Sequence, residues 1–553
     1  MSQNLFILVL IIGVFIVLII LEFYSRFKMK QAVREKWGKM PYQPRFDQEE
    51  SLKVAWQIQK KDQNWDSEID DLTWYDLDMF KVFQSINNTF SSIGSEALYA
   101  QLRHFNFKKD QQLATLIDFF ADNTEVRQAM QYQFARLGKK DKNFTRQYLE
   151  GDTSQVIGSL PLYILLGLLP FIGLAMLMFG QMAGIYLTVM SLVFNLIFYQ
   201  YKKMNLETEL TSMQYLVSTV VTAKKIAKYQ SPIQDKLQKN LKCIQSIPRF
   251  GFSFRAKSGS ETELLFDYLN IFLMLPFISY QFVISKLAKY RTEAKTVWDI
   301  LGQIEVAIAI LNYRTYMPIT CEPAFDSGGV IAVDNYHPLL DHPVANPIEW
   351  TETTLVTGSN ASGKSTYVKS VALSCILAQT IQTAIASQFQ MQPGHVYTSM
   401  AVEDNLFAGD SYFVAEIKSI KRLLAQVESG ERCYCFIDEI LKGTNTIERI
   451  ASSSAIINWL MGFPSLAFVA THDIELTEIL KDRCDNIHFS EKVSREQGVA
   501  FDYQLHHGPA RSRNAIALLQ AMDYPASIVS HAQKSANDFD QAHKWSKISK
   551  IEC

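Results

Sequence analysis

Thr357-Gly358-Ser359-Asn360-Ala361-Ser362-Gly363-Lys364-Ser365-Thr366 follows the β-branched run Thr354-Leu355-Val356 and precedes residues 367–378, which read as a helix. This is G-x-x-x-x-G-K-S in a strand–loop–helix setting. Glycines at 358 and 363 let backbone N–H groups turn toward phosphate oxygens, and the helix N-terminus adds partial positive charge. Lys364 is expected to reach the β- and γ-phosphates, and the Ser365 hydroxyl to ligate Mg²⁺. The stretch therefore predicts an α/β domain that binds a nucleoside triphosphate, with residues 358–366 as the cradle.

Two further strand ends belong with that loop. Arg432-Cys433-Tyr434-Cys435-Phe436-Ile437-Asp438-Glu439 is a short apolar run ending in two carboxylates, the pattern of a buried parallel strand. Ligands of open α/β sheets lie beyond the carboxyl ends of strands. Asp438 is expected to hold the Mg²⁺ shell and Glu439 to deprotonate the attacking water. A surface acidic pair is the alternative, weakened by the upstream phosphate loop. Leu466-Ala467-Phe468-Val469-Ala470 is a third strand, ending at Thr471-His472-Asp473. His472 is expected near the γ-phosphate; a purely structural histidine is the competing reading.

Between loop and carboxylates lie Val402-Glu403-Asp404-Asn405 and Gly409-Asp410-Ser411-Tyr412-Phe413-Val414-Ala415-Glu416, and Ile440-Leu441-Lys442-Gly443-Thr444-Asn445-Thr446 continues past the strand. The order G-x-N-x-x-G-K-S-T, S-x-F-x-x-E, D-E-x-x-x-G-T-x-T, T-H resembles the ATPase domain of the MutS family, a branch of the ABC-type ATPases. Gly508, Arg511-Ser512-Arg513-Asn514-Ala515 and Tyr524-Pro525 resemble the family's closing segment, and His337-Pro338-Leu339-Leu340 with Asn346 its entry to the nucleotide pocket. The resemblance runs from about Asp71 to about Ala532 and is strongest over the ATPase domain. It implies ATP and Mg²⁺ as cofactors and ATP hydrolysis by a homodimer, in which Ser411 of one chain faces the γ-phosphate of the other. Ser411 also reads as a plain helix N-cap, and the two readings are compatible. The family further implies DNA as a partner and repair-like DNA handling. No aromatic-x-Glu wedge precedes Asp71, so the mismatch-recognition domain is expected to be missing.

With 553 residues the chain is long enough for several domains, and its formal net charge of −2 gives no global basic signature for nucleic acid. Lys224, Lys225, Lys228, Lys236 and Lys239 could contact phosphates, but a solvated helix face is the commoner meaning of such a set. The seven cysteines show no zinc-finger spacing and suit a reducing compartment; Cys433 and Cys435 are expected to pack as small hydrophobes.

Residues 5–21 form an uninterrupted apolar stretch followed by Arg26, Lys28, Lys30, Arg34, Lys36 and Lys39. This predicts a membrane span with its following residues in the cytoplasm. Residues 160–179 and 182–199 are two more apolar stretches joined by Gly180-Gln181, with lysines and an arginine at 139–146 and lysines at 202–203. They predict a membrane hairpin with both ends cytoplasmic. A fourth stretch, 264–284, contains Asp267, Asn270, Pro276 and Gln281. A span there would carry the ATPase domain outside, so a buried helix of the cytoplasmic core is expected instead.

The expected architecture is thus α plus α/β. Residues 1–40 are an N-terminal anchor, 41–159 the first part of a helical core or lever, and 160–200 the hairpin. Residues 201–325 are the second part of the core, with a break near Pro232 and Ser95 capping a helix, and 326–553 are the ATPase domain. The expected place is the inner membrane, multi-pass, with the ATPase domain cytoplasmic. The expected function is a membrane-anchored, MutS-type dimeric ATPase coupled to DNA. A mechanical ATPase acting on a membrane or envelope partner is the second reading. An ABC-type transporter ranks last, because three spans are few and no L-S-G-G-Q signature is present.

Overall fold

The computed structural model describes residues 3–41, 47–61, 64–140, 144–151, 158–254, 268–326, 328–359, 362–400, 412–494, 498–510, 515–542 and 544–545. Asn360, Ala361, Ser411, the 402–405 loop and Arg511–Asn514 lie outside them. The chain divides into two units: residues 1–65, 83–102 and 110–317, and residues 66–82, 103–109 and 318–553.

The first unit is helical. Its 26-residue helix Arg291–Tyr316 is buried along most of its length, including Trp298, Leu301 and Ile308. Helix Glu207–Ile226 ends well before Pro232, and Gln234–Ile244 begins after it, so the chain breaks there as expected of proline. Ser95 does not cap a helix. The helix starts three residues earlier, at Ser92, and the Ser95 hydroxyl bonds back to Ser91 O at 3.4 Å. The cap is Ser91, whose hydroxyl accepts from Gly94 N at 3.3 Å, while the Tyr215 hydroxyl accepts from Ser92 N at 2.9 Å. Just ahead of the helix, the Glu305 carboxylate accepts from Phe90 N at 2.6 Å, Ser91 N at 3.3 Å and the Ser91 hydroxyl. A carboxylate beside a helix N-terminus complements the dipole. Its approach requires glycine at 94, where a Cβ would sit 2.5 Å from the Glu305 carboxylate.

Helices Leu160–Met178 and Ala183–Asn205 form the hairpin. Both are long and apolar enough to cross a membrane, with only 28% and 22% of their apolar windows buried. Leu165, Phe171, Leu174, Val189, Phe194 and Ile197 face outward. The helices touch at Gly173 and Gly184, where a Cβ on either would strike the backbone of the other helix. Stretch 5–21 falls within helix Gln3–Glu35, most of whose first twelve side chains lie outside the described residues. Stretch 264–284 is not one continuous helix in its described part. Residues 268–272 are helical, Met274 takes φ +54°, and a new helix runs Leu275–Lys289.

The second unit is built on a six-stranded sheet. From one edge the strands are His506–His507, Asp485–His488, Thr354–Thr357, Ser465–Ala470, Cys433–Asp438 and His395–Ser399. All pairs are parallel except the first. A separate mixed sheet joins Ala324–Phe325, Gln388–Met391, Val330–Asn335 and Asn346–Trp350. Trp350 is fully buried against Tyr434, Phe436 and Phe468, which ties this sheet to the central one.

Residues 66–82 and 103–109, read above as helical core, belong to this second unit. The buried Asp76 carboxylate accepts from Thr398 Oγ1 at 2.6 Å and Met400 N at 2.9 Å, and Asp70 pairs with Arg422. These bonds lock the early segment to the edge strand His395–Ser399. Such pairing, across more than 300 residues of sequence, leaves no local pattern to read.

Burial pushes the Glu305 carboxyl up to about 7. Its folded value thus exceeds the ordinary carboxylate range, so its contribution to stability is complete below that range and is lost as pH rises through about 7. In urea unfolding of the detergent-solubilised chain, Glu305→Gln is expected to flatten this part of the pH dependence. Gly94→Ala is expected to destabilise by about 1–3 kcal/mol, the usual cost of forcing extra atoms into a packed site.

Candidate functional site

Three neighbouring parallel strands deliver the site. Thr354–Thr357 leads into the glycine loop, Cys433–Asp438 ends in the carboxylates, and Ser465–Ala470 lies between them. Ala470 pairs with both Val356 and Asp438. The strand carrying His472 therefore separates the lysine from the carboxylates, and its end brings the histidine between them.

The loop is shaped by its glycines. Gly358 has φ +139° and Gly363 φ +108°, a region that suits glycine alone. A Cβ on Gly358 would collide with Phe489 O. The buried Ser362 hydroxyl donates to Ser359 O at 2.8 Å and braces the turn. Helix Lys364–Thr380 starts directly after Gly363, so its N-terminal N–H groups open onto the loop.

Lys364 is buried, and its Nζ donates to Gly358 O at 2.5 Å and Ser359 O at 3.0 Å. It lies 3.4 Å from His472 Nε2. His472 Nε2 is also 3.1 Å from Glu439 Oε1, and Lys442 Nζ is 3.3 Å from Glu439 Oε2. Burial and then Lys364 hold the His472 imidazole below its usual range, against the opposing pull of Glu439 and Asp438. The ring is therefore neutral near pH 7. The Ser365 hydroxyl donates to Asp438 Oδ2 at 2.8 Å. Hydroxyl and carboxylate oxygens at that spacing suit a hard octahedral cation such as Mg²⁺. Glu439 has φ +64° and Leu441 φ +58°, left-handed conformations uncommon for such residues and often stored at functional turns.

Lys364, Ser365, Thr366, Asp438, Glu439 and His472 all line one cavity of about 550 Å³, with Ser359 and Gly363 at its floor. His337, Leu340 and Asn346 line the same cavity. Burial pushes the His337 imidazole down to about 4, so it too is neutral. Asn346 also acts as a brace. Its amide donates to Tyr503 O at 2.9 Å and accepts from Leu505 N at 2.8 Å, pinning the 503–505 loop. That loop lays Tyr503 on the phosphate loop, 3.2 Å from where a Gly363 Cβ would stand. Nothing in the spelling around Tyr503 signals this contact.

Three further features support the site. Asp473 is gripped by the Arg449 guanidinium through two bonds, one of them Nε to Oδ2 at 2.8 Å, which fixes the turn behind His472. Glu416, buried on helix Tyr412–Val427, accepts from Lys442 N at 2.9 Å and holds the segment after the carboxylates. Cys433 and Cys435 are fully buried beneath the site in the apolar core.

A parallel sheet of this order, with a glycine loop at a helix N-terminus and carboxylates two strands away, defines a P-loop α/β domain. Residues 354–540 match the family MutS domain V. DNA mismatch repair protein MutS of Thermus thermophilus is 30% identical over 252 residues, covering 44% of this chain and 30% of that protein. Human MutS protein homolog 4 is 30% identical over 217 residues, 36% of this chain and 23% of that protein. DNA mismatch repair protein msh3 of Aspergillus oryzae is 29% identical over 276 residues, 46% and 25% respectively. The C-terminal unit thus carries a region similar to MutS domain V, while the chain spans less than a third of the length of these relatives.

Glu416→Ala is expected to release the segment after Glu439 and lower ATP turnover roughly tenfold, as loss of one charge-assisted bond implies. Glu416→Gln retains an acceptor oxygen for Lys442 N and should keep most of the activity. Steady-state phosphate release distinguishes them.

Proposed function

We propose that this protein is a membrane-anchored, MutS-type ATPase that hydrolyses ATP as a homodimer and couples the cycle to DNA. The observation that carries the hydrolytic reading is the meeting of Lys364, Ser365, Asp438, Glu439 and His472 at one cavity. ATP would lie with its phosphates over residues 358–366, held by loop and helix N–H groups. Lys364 would exchange its bonds to the loop carbonyls for the β- and γ-phosphates. Ser365 and Asp438 would hold Mg²⁺, which supplies charge neutralisation to the phosphate oxygens. Glu439 would take a proton from the attacking water, and its two neighbours, His472 and Lys442, orient its carboxylate. Neutral His472, in reach of both Lys364 and Glu439, is placed to sense the γ-phosphate. By resemblance, Ser411 of a second chain would complete each site.

The hairpin supports membrane attachment at the inner face, with the span at 5–21 as a further anchor and the ATPase domain in the cytoplasm. DNA enters through the relatives, whose names tie them to mismatch repair. The second reading, a mechanical ATPase acting on a membrane partner, is favoured by the hairpin lying within the helical unit's own sequence.

With labelled ATP, Lys364→Ala is expected to weaken nucleotide binding. Glu439→Gln should bind ATP and turn it over at least a hundredfold more slowly, in the range general-base loss produces. Parent-rate turnover by Glu439→Gln would remove Glu439 from the chemistry.

For the full chain in nanodiscs, DNA affinity should fall with salt, with a logarithmic slope of about −0.9 per neutralised phosphate of duplex DNA. A chain that hydrolyses ATP but shows no such binding would transfer the proposal to the membrane-partner reading.

A further inference from the structure

Asn195 stands in the second hairpin helix and is completely buried. Its side-chain amide donates to Leu166 O at 2.8 Å and to Phe272 O at 2.8 Å. Both acceptors lack a partner within their own helix. In an α-helix the carbonyl of residue i receives the N–H of residue i+4. Four residues beyond Leu166 is Pro170, inside helix Leu160–Met178. Proline has no N–H to give. Phe272 closes the helical run 268–272, and Met274 at φ +54° breaks the chain before helix Leu275–Lys289, so its carbonyl is a helix-end orphan. One amide with two N–H bonds thus serves one carbonyl freed by a proline and one freed by a helix end.

The neighbourhood is built for this contact. A Cβ on Gly167 would lie 2.7 Å from Leu273 O, so the broken segment packs backbone to backbone on the first hairpin helix. Phe277 stacks on Tyr163 with centroids 5.2 Å apart and lies 5.5 Å from Tyr199. Depth follows from helix rise. Asn195 precedes Lys202, in the last turn, by seven residues, and Leu166 follows the helix start by six. At 1.5 Å per residue both lie roughly 10 Å inside the hairpin's ends. Tyr268 and Leu269, about one turn before Phe272, are 55% and 40% exposed, on a stretch with no charge from 268 to 285.

We propose that residues 268–274 are a third membrane element, a re-entrant segment that dips into the bilayer and is clasped there by Asn195. The inference rests on reading the hairpin as membrane-embedded. It explains why a stretch too broken to cross is nonetheless apolar. Irregular backbone at membrane depth persists only where protein groups satisfy it, and Asn195 does so for both helices. The segment's partner is the acyl-chain region of the lipid, met by Tyr268 and Leu269.

The test uses the full chain in phosphatidylcholine nanodiscs, with Cys243, Cys321 and Cys553 replaced by serine and single spin labels at Leu269, Ile197 or Lys228. Collision with oxygen reports lipid, and collision with a nickel chelate reports water. Labels at Leu269 and Ile197 should both favour oxygen, while Lys228 favours the chelate. A Leu269 label that collides like Lys228, with Ile197 still lipid-like, overturns the re-entrant segment and leaves the hairpin standing. If Ile197 also favours the chelate, the hairpin reading itself falls, and the proposal with it. The clasp is tested by a double-mutant cycle. Asn195→Leu should lower the melting midpoint by several degrees, and less so in a Pro170→Ala background, where a backbone N–H returns to Leu166 O. Equal losses in both backgrounds would overturn the clasp.

Discussion

The candidate nucleotide site depends on the parallel pairing of strand Ser465–Ala470 with both its neighbours. Because Ala470 is opposite Val356 on one side and Asp438 on the other, three chain ends emerge at one height. The glycine loop, the carboxylates and His472 follow within one or two residues of those pairs. A slip of a single residue would turn every side chain of the strand over, and His472 would leave Lys364 and Glu439. The register is held by burial on both faces, with Trp350 and Phe468 on one side and the cluster of Leu355, Ile437 and Val469 on the other. The chemistry is thereby tied to the core rather than to loops.

A different logic governs the helical unit, where buried polar side chains repair backbone discontinuities at a distance. Glu305 meets the N–H groups of Phe90 and Ser91, just ahead of helix Ser92–Arg103, from a helix more than 200 residues away in sequence. Asn195 does the converse, donating to one carbonyl orphaned by proline and one left at a helix end. An unmet backbone group in a dry environment costs roughly 1–3 kcal/mol, so each such side chain contributes more than its single contact suggests. Both also fix geometry, since neither bond survives a turn of helix rotation.

What could be read in advance was what repeats locally or lies within a motif. The glycine loop, Asp438-Glu439 and His472 are each marked by a strand-like run and an abrupt end, and the structure brings them to one cavity. The hairpin stretches 160–179 and 182–199 coincide with helices Leu160–Met178 and Ala183–Asn205 because unbroken apolarity needs no partner to be recognised. Ser95 carried a cap's spelling, but Ser91, four residues earlier, caps the helix. The other failures are non-local. Residues 66–82 looked like their helical surroundings, yet their buried Asp76 belongs to strand His395–Ser399. Tyr503 acts through a contact that only folding creates.

The bond between Asp76 and Thr398 also sets a timetable for biosynthesis. Asp76 leaves the ribosome about 320 residues before the strand that donates to it exists, a delay of roughly 15–60 s at ordinary elongation rates. In that interval the hairpin at 160–205 is made in full. On the proposed topology, bilayer insertion therefore precedes closure of the C-terminal unit. Asp70, Thr73 and Asp76 wait for the edge strand, so on that topology the C-terminal unit closes only after the hairpin has been delivered.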